Sequence, residues 1–149
     1  MALATITICN SIQGLTIAGV KVLDLDEISP EVVRQTPVLF PEPLEFITDF
    51  SMERDSFGGG SVAKMTVTYN LHYTFCYAPI GSGRMGLDIY SGMIEAAMSI
   101  LDAVLAIDTM DGLIDIIPLA PVEFGPVPDP AGNQYLGCRF AFQVMEFVN

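Results

Sequence analysis

Apolar and polar residues alternate most regularly between Glu45 and Tyr77, and this alternation predicts a long β-hairpin. The second arm, Val62 to Tyr77, has an apolar or aromatic residue at every second position. These residues are Ala63, Met65, Val67, Tyr69, Leu71, Tyr73, Phe75 and Tyr77. In the first arm the pattern places Phe46, Thr48, Phe50 and Met52 on one face and Asp49, Ser51, Glu53 and Asp55 on the other.

The predicted hairpin is unusually long and has a glycine-rich tip. Phe57 to Ser61 joins its arms and contains three consecutive glycines, which adopt positive φ without a steric cost. Strands usually have about five to six residues. We therefore expect the hairpin to project beyond its own core.

Two segments have helical periodicity. Thr5 to Leu15 predicts a short helix, and Asp88 to Ile107 predicts a longer amphipathic helix with Asp88 as its N-cap. One side of the longer helix is expected to pack on the sheet. Its members are Tyr90, Met93, Ile94, Ala97, Leu101, Val104 and Leu105.

The remaining segments predict shorter strands and one closing strand. Val20 to Leu25 is a predicted strand, whereas Ser29 to Leu44 contains four prolines and is interpreted as an irregular connector. Leu113 to Ile117 and Leu119 to Val127 are interpreted as one edge strand broken by prolines. Gln134 to Val148 alternates again and predicts a strand at or near the centre of the sheet. Its inward residues are Leu136, Cys138, Phe140, Phe142 and Val144.

Together these elements predict one α+β domain over residues 1–149, without an internal repeat or domain boundary. The expected architecture is a mostly antiparallel sheet of four to five strands with a long β-hairpin. Two helices are expected to pack on one face of this sheet.

Composition and charge narrow the classes of function. The formal net charge is −12, which repels phosphate backbones and disfavours binding of nucleic acid. Half of the residues are apolar and only 16% are charged, a balance that favours burial of surface in an oligomer. The apolar run from Met93 to Ile107 is interrupted by two acidic residues, and no basic residue precedes Lys21. We expect neither a membrane span nor a secretory signal, and hence a cytosolic product.

The residues do not point to catalysis or to a bound cofactor. Cys9, Cys76 and Cys138 lie far apart and are odd in number, so reduced core thiols are expected rather than disulfides. His72 and Cys76 lie about 13 Å apart along one strand, too far to share a metal ion. The acidic segment that begins at Asp24 lacks the glycine and the closing glutamate of a calcium loop. The sequence therefore predicts a protein that is not an enzyme and has no metal or cofactor.

One motif leaves a nucleotide-binding alternative open. Gly81 to Gly86 matches G-x-G-x-x-G between a predicted strand and a predicted helix. A dinucleotide-binding strand is buried on both faces and continuously apolar, whereas Val62 to Tyr77 alternates with polar residues. We favour a loop in which Arg84 contacts an acidic group of this chain or of a neighbour.

Three segments stand out in this order of elements: Pro37-Val38-Leu39-Phe40-Pro41, Arg54-Asp55-Ser56-Phe57-Gly58-Gly59-Gly60 and Gly132-Asn133-Gln134-Tyr135-Leu136-Gly137. With these segments, the order of elements resembles the tail terminator, or tail completion, proteins of long-tailed bacteriophages. The resemblance covers most of the chain as architecture.

This resemblance implies a structural virion protein, made in the host cytoplasm, that forms a homo-oligomeric ring, usually a hexamer. The implied ring caps the tail tube, contacts the tube protein and the head-closure or connector protein, and lets DNA pass without specific binding. The residues expected at subunit or partner interfaces are Phe57, Gly58, Gly59, Gly60, Arg84, Pro128 and Asp129. The residues expected to line the channel or a subunit boundary are Asp49, Glu53 and Asp55.

Three alternatives accompany this interpretation. The first is another neck or tail-tube protein of a phage, and the second is a small cytosolic nucleotide-binding enzyme that uses Gly81 to Gly86. The third is an adaptor that binds peptides by strand addition at the Leu113 to Val127 edge. Three prolines in that edge weaken the third alternative.

Overall fold

A computed structural model of the chain describes residues 5–17, 19–23, 36–42, 47–55, 64–80, 87–107, 114–119 and 122–148. These residues form two helices and seven strands. The helices are α1 (Thr5–Gln13) and α2 (Leu87–Leu105). The strands are β1 (Lys21–Val22), β2 (Val38–Pro41), β3 (Ile47–Asp55), β4 (Lys64–Pro79), β5 (Ile114–Pro118), β6 (Glu123–Pro128) and β7 (Gln134–Val148).

The sheet is built around two long central strands. β4 and β7 pair antiparallel from Met65 opposite Val148 to Pro79 opposite Tyr135. The outer edge of β4 is shared by β3 and β2, and the outer edge of β7 is shared by β5 and β6. β1 then pairs parallel with β2.

The α+β class is confirmed, but two details of the predicted sheet are wrong. The sheet has seven strands instead of four to five, and it is mixed because β1 and β2 are parallel. The count is higher because each edge is divided into two short strands. Prolines stand where these edge strands end, at Pro41 in β2 and at Pro118 in β5, and a proline offers no N–H to a ladder. The edge position predicted for the segment around Pro118 is confirmed.

The predicted connector and the predicted first strand also differ from the structure. Four residues of the connector, Val38 to Pro41, form strand β2 and are buried. The strand predicted for Val20 to Leu25 is reduced to Lys21 and Val22 among the described residues. The four prolines led to the interpretation of this segment as a connector. β2 was missed because it has only four residues and ends at Pro41.

The predicted β-hairpin is present, with β3 antiparallel to the first half of β4. The tip, Phe57 to Ser61, lies outside the described residues. The described arms belong to the sheet and do not project from it, because β4 is paired with β7 as far as Met65. The expectation of a projecting hairpin is therefore wrong for these arms, although the side chains of β3 are largely exposed.

A bulge in β3 changes which residues share a face. Thr48 lies opposite Asn70 and Ser51 lies opposite Thr68, so β3 has one extra residue between these pairs. Asp49 adopts a φ of 51° there. Thr48, predicted on the apolar face, consequently lies on the polar face with Asn70.

The main core lies on one face of the sheet beneath both helices, as predicted. α1 contributes Ile8 and Ile12 to it. The inward residues predicted for β7 are all buried, and by register they share this face with the buried aromatic residues of β4. The core strand residues are Leu39, Val67, Tyr69, Leu71, Tyr73, Phe75, Ile114, Leu136, Cys138, Phe140, Phe142 and Val144.

The packing of α2 corrects two predictions. The helix begins at Leu87, so Asp88 lies inside the first turn and is not the N-cap. The buried side is narrower than predicted and includes Ile100. Its members are Met93, Ala97, Ile100 and Val104, whereas Tyr90, Ile94 and Leu105 are exposed.

A second, smaller apolar cluster covers part of the opposite face of the sheet. It was not predicted, because β2 was interpreted as a connector. The cluster contains Leu23, Val38, Phe40, Cys76 and Val127, with Tyr135 packed against it. The half of β4 next to β2 is thus buried on both faces, which explains why Thr74 and Cys76 are buried at positions that alternate with the main core.

Candidate subunit interface

Three large apolar side chains of β3 are exposed on the side of the sheet that carries the helices. Ile47 and Met52 lie opposite Leu71 and Val67 of the core face, and they are 40% and 57% exposed. Phe50 is 49% exposed and stacks on the buried ring of Tyr69 with a centroid distance of 6.2 Å. We call Ile47, Phe50 and Met52 the hairpin patch. Arg54, opposite Met65, lies on the same side of the strand and is exposed.

The second exposed apolar surface runs along α2. We call Tyr90, Ile94, Met98 and Leu105 the helix patch. Its members are spaced by four, four and seven residues, so they form a stripe on one side of the helix. All four are exposed, and Met98 is the most exposed at 59%. Glu95 and Asp102, both exposed, flank this stripe on the side away from the core.

The positions predicted to form an acidic face lie on the polar face of the hairpin. Asp49 accepts a hydrogen bond from Asn70 Nδ2 at 2.8 Å. Glu53 and Asp55 lie opposite Thr66 and Lys64, on the same face of β4 as Asn70. By strand register, the positions predicted for the acidic face therefore lie on one face of β3. Its role in lining a channel stays a prediction.

Hydrogen bonds on this polar face tie the edge strands to β4. Thr48 Oγ1 and His72 Nε2 lie 2.8 Å apart, which gives the single histidine a structural contact. Arg139 reaches across β4 to form an ion pair with Glu42, at the junction of β2 and β3. Asn70 Oδ1 is buried and has no hydrogen-bond partner among the described residues.

Of the other predicted interface residues, Pro128 and Asp129 lie in the described part of the chain. Pro128 is exposed, whereas Asp129 is buried and organises the turn between β6 and β7. Asp129 Oδ1 accepts hydrogen bonds from the backbone N–H groups of Ala131 and Asn133, at 2.9 and 2.8 Å. Gly132 completes this turn with a φ of 90°. Phe57, Gly58, Gly59, Gly60 and Arg84 lie outside the described residues.

Burial controls the ionisation of the groups near this turn. The pKa of the Cys76 thiol is raised to about 12, mainly by burial and to a smaller extent by the negative charge of Asp129. Burial likewise raises the pKa of Cys138 to about 12, with a smaller contribution from Cys76. The pKa of the Tyr135 phenol is raised mainly by burial, with a smaller contribution from the negative charge of Asp129. These two thiols stay protonated near neutral pH, which suits core residues better than nucleophiles.

A buried polar pair at the other end of the sheet was missed by the sequence analysis. Glu146 lies opposite Val67, so it faces the main core, and it is 5% exposed. The Tyr69 hydroxyl donates a hydrogen bond to Glu146 Oε2 at 2.6 Å. Glu146 follows the inward positions of β7 at the same two-residue spacing, a signal that marks its face but not its partner.

Two observations in the described residues concern metal and nucleotide binding. They contain no group of three or more His, Cys, Asp or Glu side chains that could hold a metal ion. Gly81 to Gly86 lies outside them. The strand before that loop, β4, pairs antiparallel with β2, β3 and β7, whereas a dinucleotide-binding βαβ unit requires a parallel partner.

No family model matches the chain, and no curated protein matches it either.

Within the described ranges, neither helix is long and apolar enough to cross a membrane. The surfaces described above therefore provide the main structural basis for a functional proposal.

Proposed function

We propose that this protein is a structural subunit of a homo-oligomeric ring, and that the ring caps the tail tube of a long-tailed bacteriophage and joins it to the head–tail connector. The observation that carries the ring is the pair of uncovered apolar surfaces, the hairpin patch and the helix patch. Large exposed apolar surface in a chain of this size marks a site of protein association. The phage assignment rests on the resemblance of the sequence to tail terminator proteins.

The charge of the chain supports a passive role towards DNA. A subunit with a net charge of −12 repels the phosphate backbone. The positions of Asp49, Glu53 and Asp55 lie on one face of β3. If this face lines the ring's channel, DNA passes without adsorbing. In this proposal the partners are further copies of the chain, the tube protein and the connector protein, and the protein resides in the neck region of the virion.

Negative-stain electron microscopy of the purified protein tests the ring. The proposal expects closed rings, of about six subunits, with a central opening wide enough for duplex DNA. Isolated small particles or open filaments at all concentrations would contradict it.

A charge reversal tests the position of the acidic face. Glu53→Lys should make the assembled ring retain duplex DNA at low salt in a gel-shift assay, because a cation in the channel attracts phosphates. Glu123→Lys is the matched control, since Glu123 is an exposed acidic strand residue on β6, at the opposite edge of the sheet. Equal DNA retention by both variants would exclude a channel lined by β3.

A further inference from the structure

The hairpin patch and the helix patch lie towards opposite edges of the sheet. β3 pairs with the outer edge of β4, whereas α2 lies against β5, which pairs with the outer edge of β7. Three strand spacings of about 4.8 Å separate β3 from β5, so these two edge strands lie about 14 Å apart. One subunit therefore carries exposed apolar surface towards both edges of the sheet, on the side that bears the helices.

The charges beside the two patches are complementary. The hairpin patch has Arg54 on its own side of the strand, and Arg54 is one of only six basic residues in the chain. The helix patch is flanked by Glu95 and Asp102, and α2 contains no Lys or Arg. Two hairpin patches in contact would bring two arginines close together, and two helix patches in contact would bring four carboxylates close together. Both arrangements place like charges side by side. Only the pairing of a hairpin patch with a helix patch places opposite charges at the rim of the apolar contact.

From this arrangement, and resting on the proposed ring, we infer that the subunit contact is heterologous: the hairpin patch of one copy docks on the helix patch of the next. Ile47, Phe50 and Met52 would then be desolvated against Ile94, Met98 and Leu105, with Arg54 facing the acidic residues of α2. A heterologous contact repeats around an axis and closes into a ring when its rotation permits, whereas a contact between like patches ends at a dimer.

Two aspartate substitutions block the two surfaces separately. Met52→Asp alters the hairpin patch, and Met98→Asp alters the helix patch; both methionines are more than half exposed, so the fold should tolerate the change. Ser51→Asp and Ser99→Asp are matched controls, because each serine is exposed on the same element but points away from its patch. Circular dichroism and urea unfolding verify that all four variants are folded.

Sedimentation velocity of these proteins, separately and mixed, tests the inference. Wild type and both serine variants should sediment as rings, and each methionine variant as a monomer. An equimolar mixture of the two methionine variants should form dimers and nothing larger, because one intact hairpin patch meets one intact helix patch.

The other outcomes separate the failure of this inference from the failure of the proposed function. Rings of wild type that persist in either methionine variant would overturn the docking mode and leave the ring intact. A methionine variant that forms dimers on its own would indicate contact between like patches, which overturns the docking mode. Monomeric variants that stay monomeric when mixed would show that the two patches do not dock on each other, which also overturns it. Wild type that is monomeric at every concentration would contradict both the docking mode and the proposed function.

Discussion

Gly137 of β7 lies against the backbone of Phe75 in β4, so closely that a Cβ on Gly137 would stand 1.8 Å from the Phe75 carbonyl oxygen. This approach occurs beside the bulge at which Cys76 pairs with Gly137 and Ala78 pairs with Leu136. A backbone atom cannot move away as a side chain can. The two central strands therefore depend on glycine at this position.

We predict that Gly137→Ala lowers the free energy of unfolding by about 3 kcal/mol or more, because β4 and β7 must separate locally to admit the methyl group. Urea unfolding followed by circular dichroism measures the change. Gly125→Ala is the matched control: Gly125 lies opposite Gly137 in β6, and its Cβ would meet nothing within 4 Å. Equal losses in the two variants would show that the contact with Phe75 is not the cause.

The Tyr69–Glu146 hydrogen bond supports a carboxylate inside the main core. Tyr69→Phe removes one donor from that carboxylate, and we expect a loss of about 1–3 kcal/mol in unfolding free energy. Tyr90→Phe, on the exposed side of α2, should change it by less than about 0.5 kcal/mol. A Tyr69→Phe protein as stable as wild type would mean that the hydroxyl contributes nothing to holding Glu146.

Substitutions at Asp129 and Pro128 test whether these two residues contribute to folding, to assembly or to both. Asp129→Ala leaves the N–H groups of Ala131 and Asn133 without their acceptor, and we expect a loss of at least about 2 kcal/mol in unfolding free energy. The neighbouring substitution Pro128→Ala, at an exposed position, should cost less than about 1 kcal/mol. The mass of each variant under native conditions, measured by light scattering, shows whether either residue also contributes to the ring.

The buried thiols predict how stability depends on alkaline pH. In the unfolded chain Cys76 and Cys138 ionise near the ordinary value of 9.0, whereas in the folded protein their pKa values are raised to about 12. Their contribution to stability is therefore complete below pH 9 and is lost as the pH rises from about 9 to 12, because only the unfolded state releases these protons. A Cys76→Ala, Cys138→Ala double variant should show a shallower decline in urea midpoints over that range.

The regular alternation of β4 and β7 was sufficient to predict the centre of the sheet, the hairpin and the inward face of β7. Local pattern could not identify β2, because a four-residue strand that ends in proline has the composition of a connector. The bulge at Asp49 was equally hidden, since it depends on the pairing of Thr48 with Asn70 across the hairpin. Because of that one inserted residue, Thr48 lies on the polar face and not on the predicted apolar face.

The candidate interface was predictable only in part. The acidic residues of β3 follow directly from alternation, but α2 is apolar over more than half of its circumference. Its sequence alone does not show whether Ile94 or Ile100 faces the sheet. Glu146 was missed for a similar reason, because its partner Tyr69 is 77 residues away in the chain.

The mass of the wild-type protein in solution tests the central claim most directly. Multi-angle light scattering over a series of protein and salt concentrations should show the mass rising to a plateau at a fixed multiple of 16.1 kDa, close to six. Salt should favour that assembly, because it screens the repulsion between subunits of net charge −12. A mass of 16.1 kDa at every protein and salt concentration would contradict the self-assembling ring.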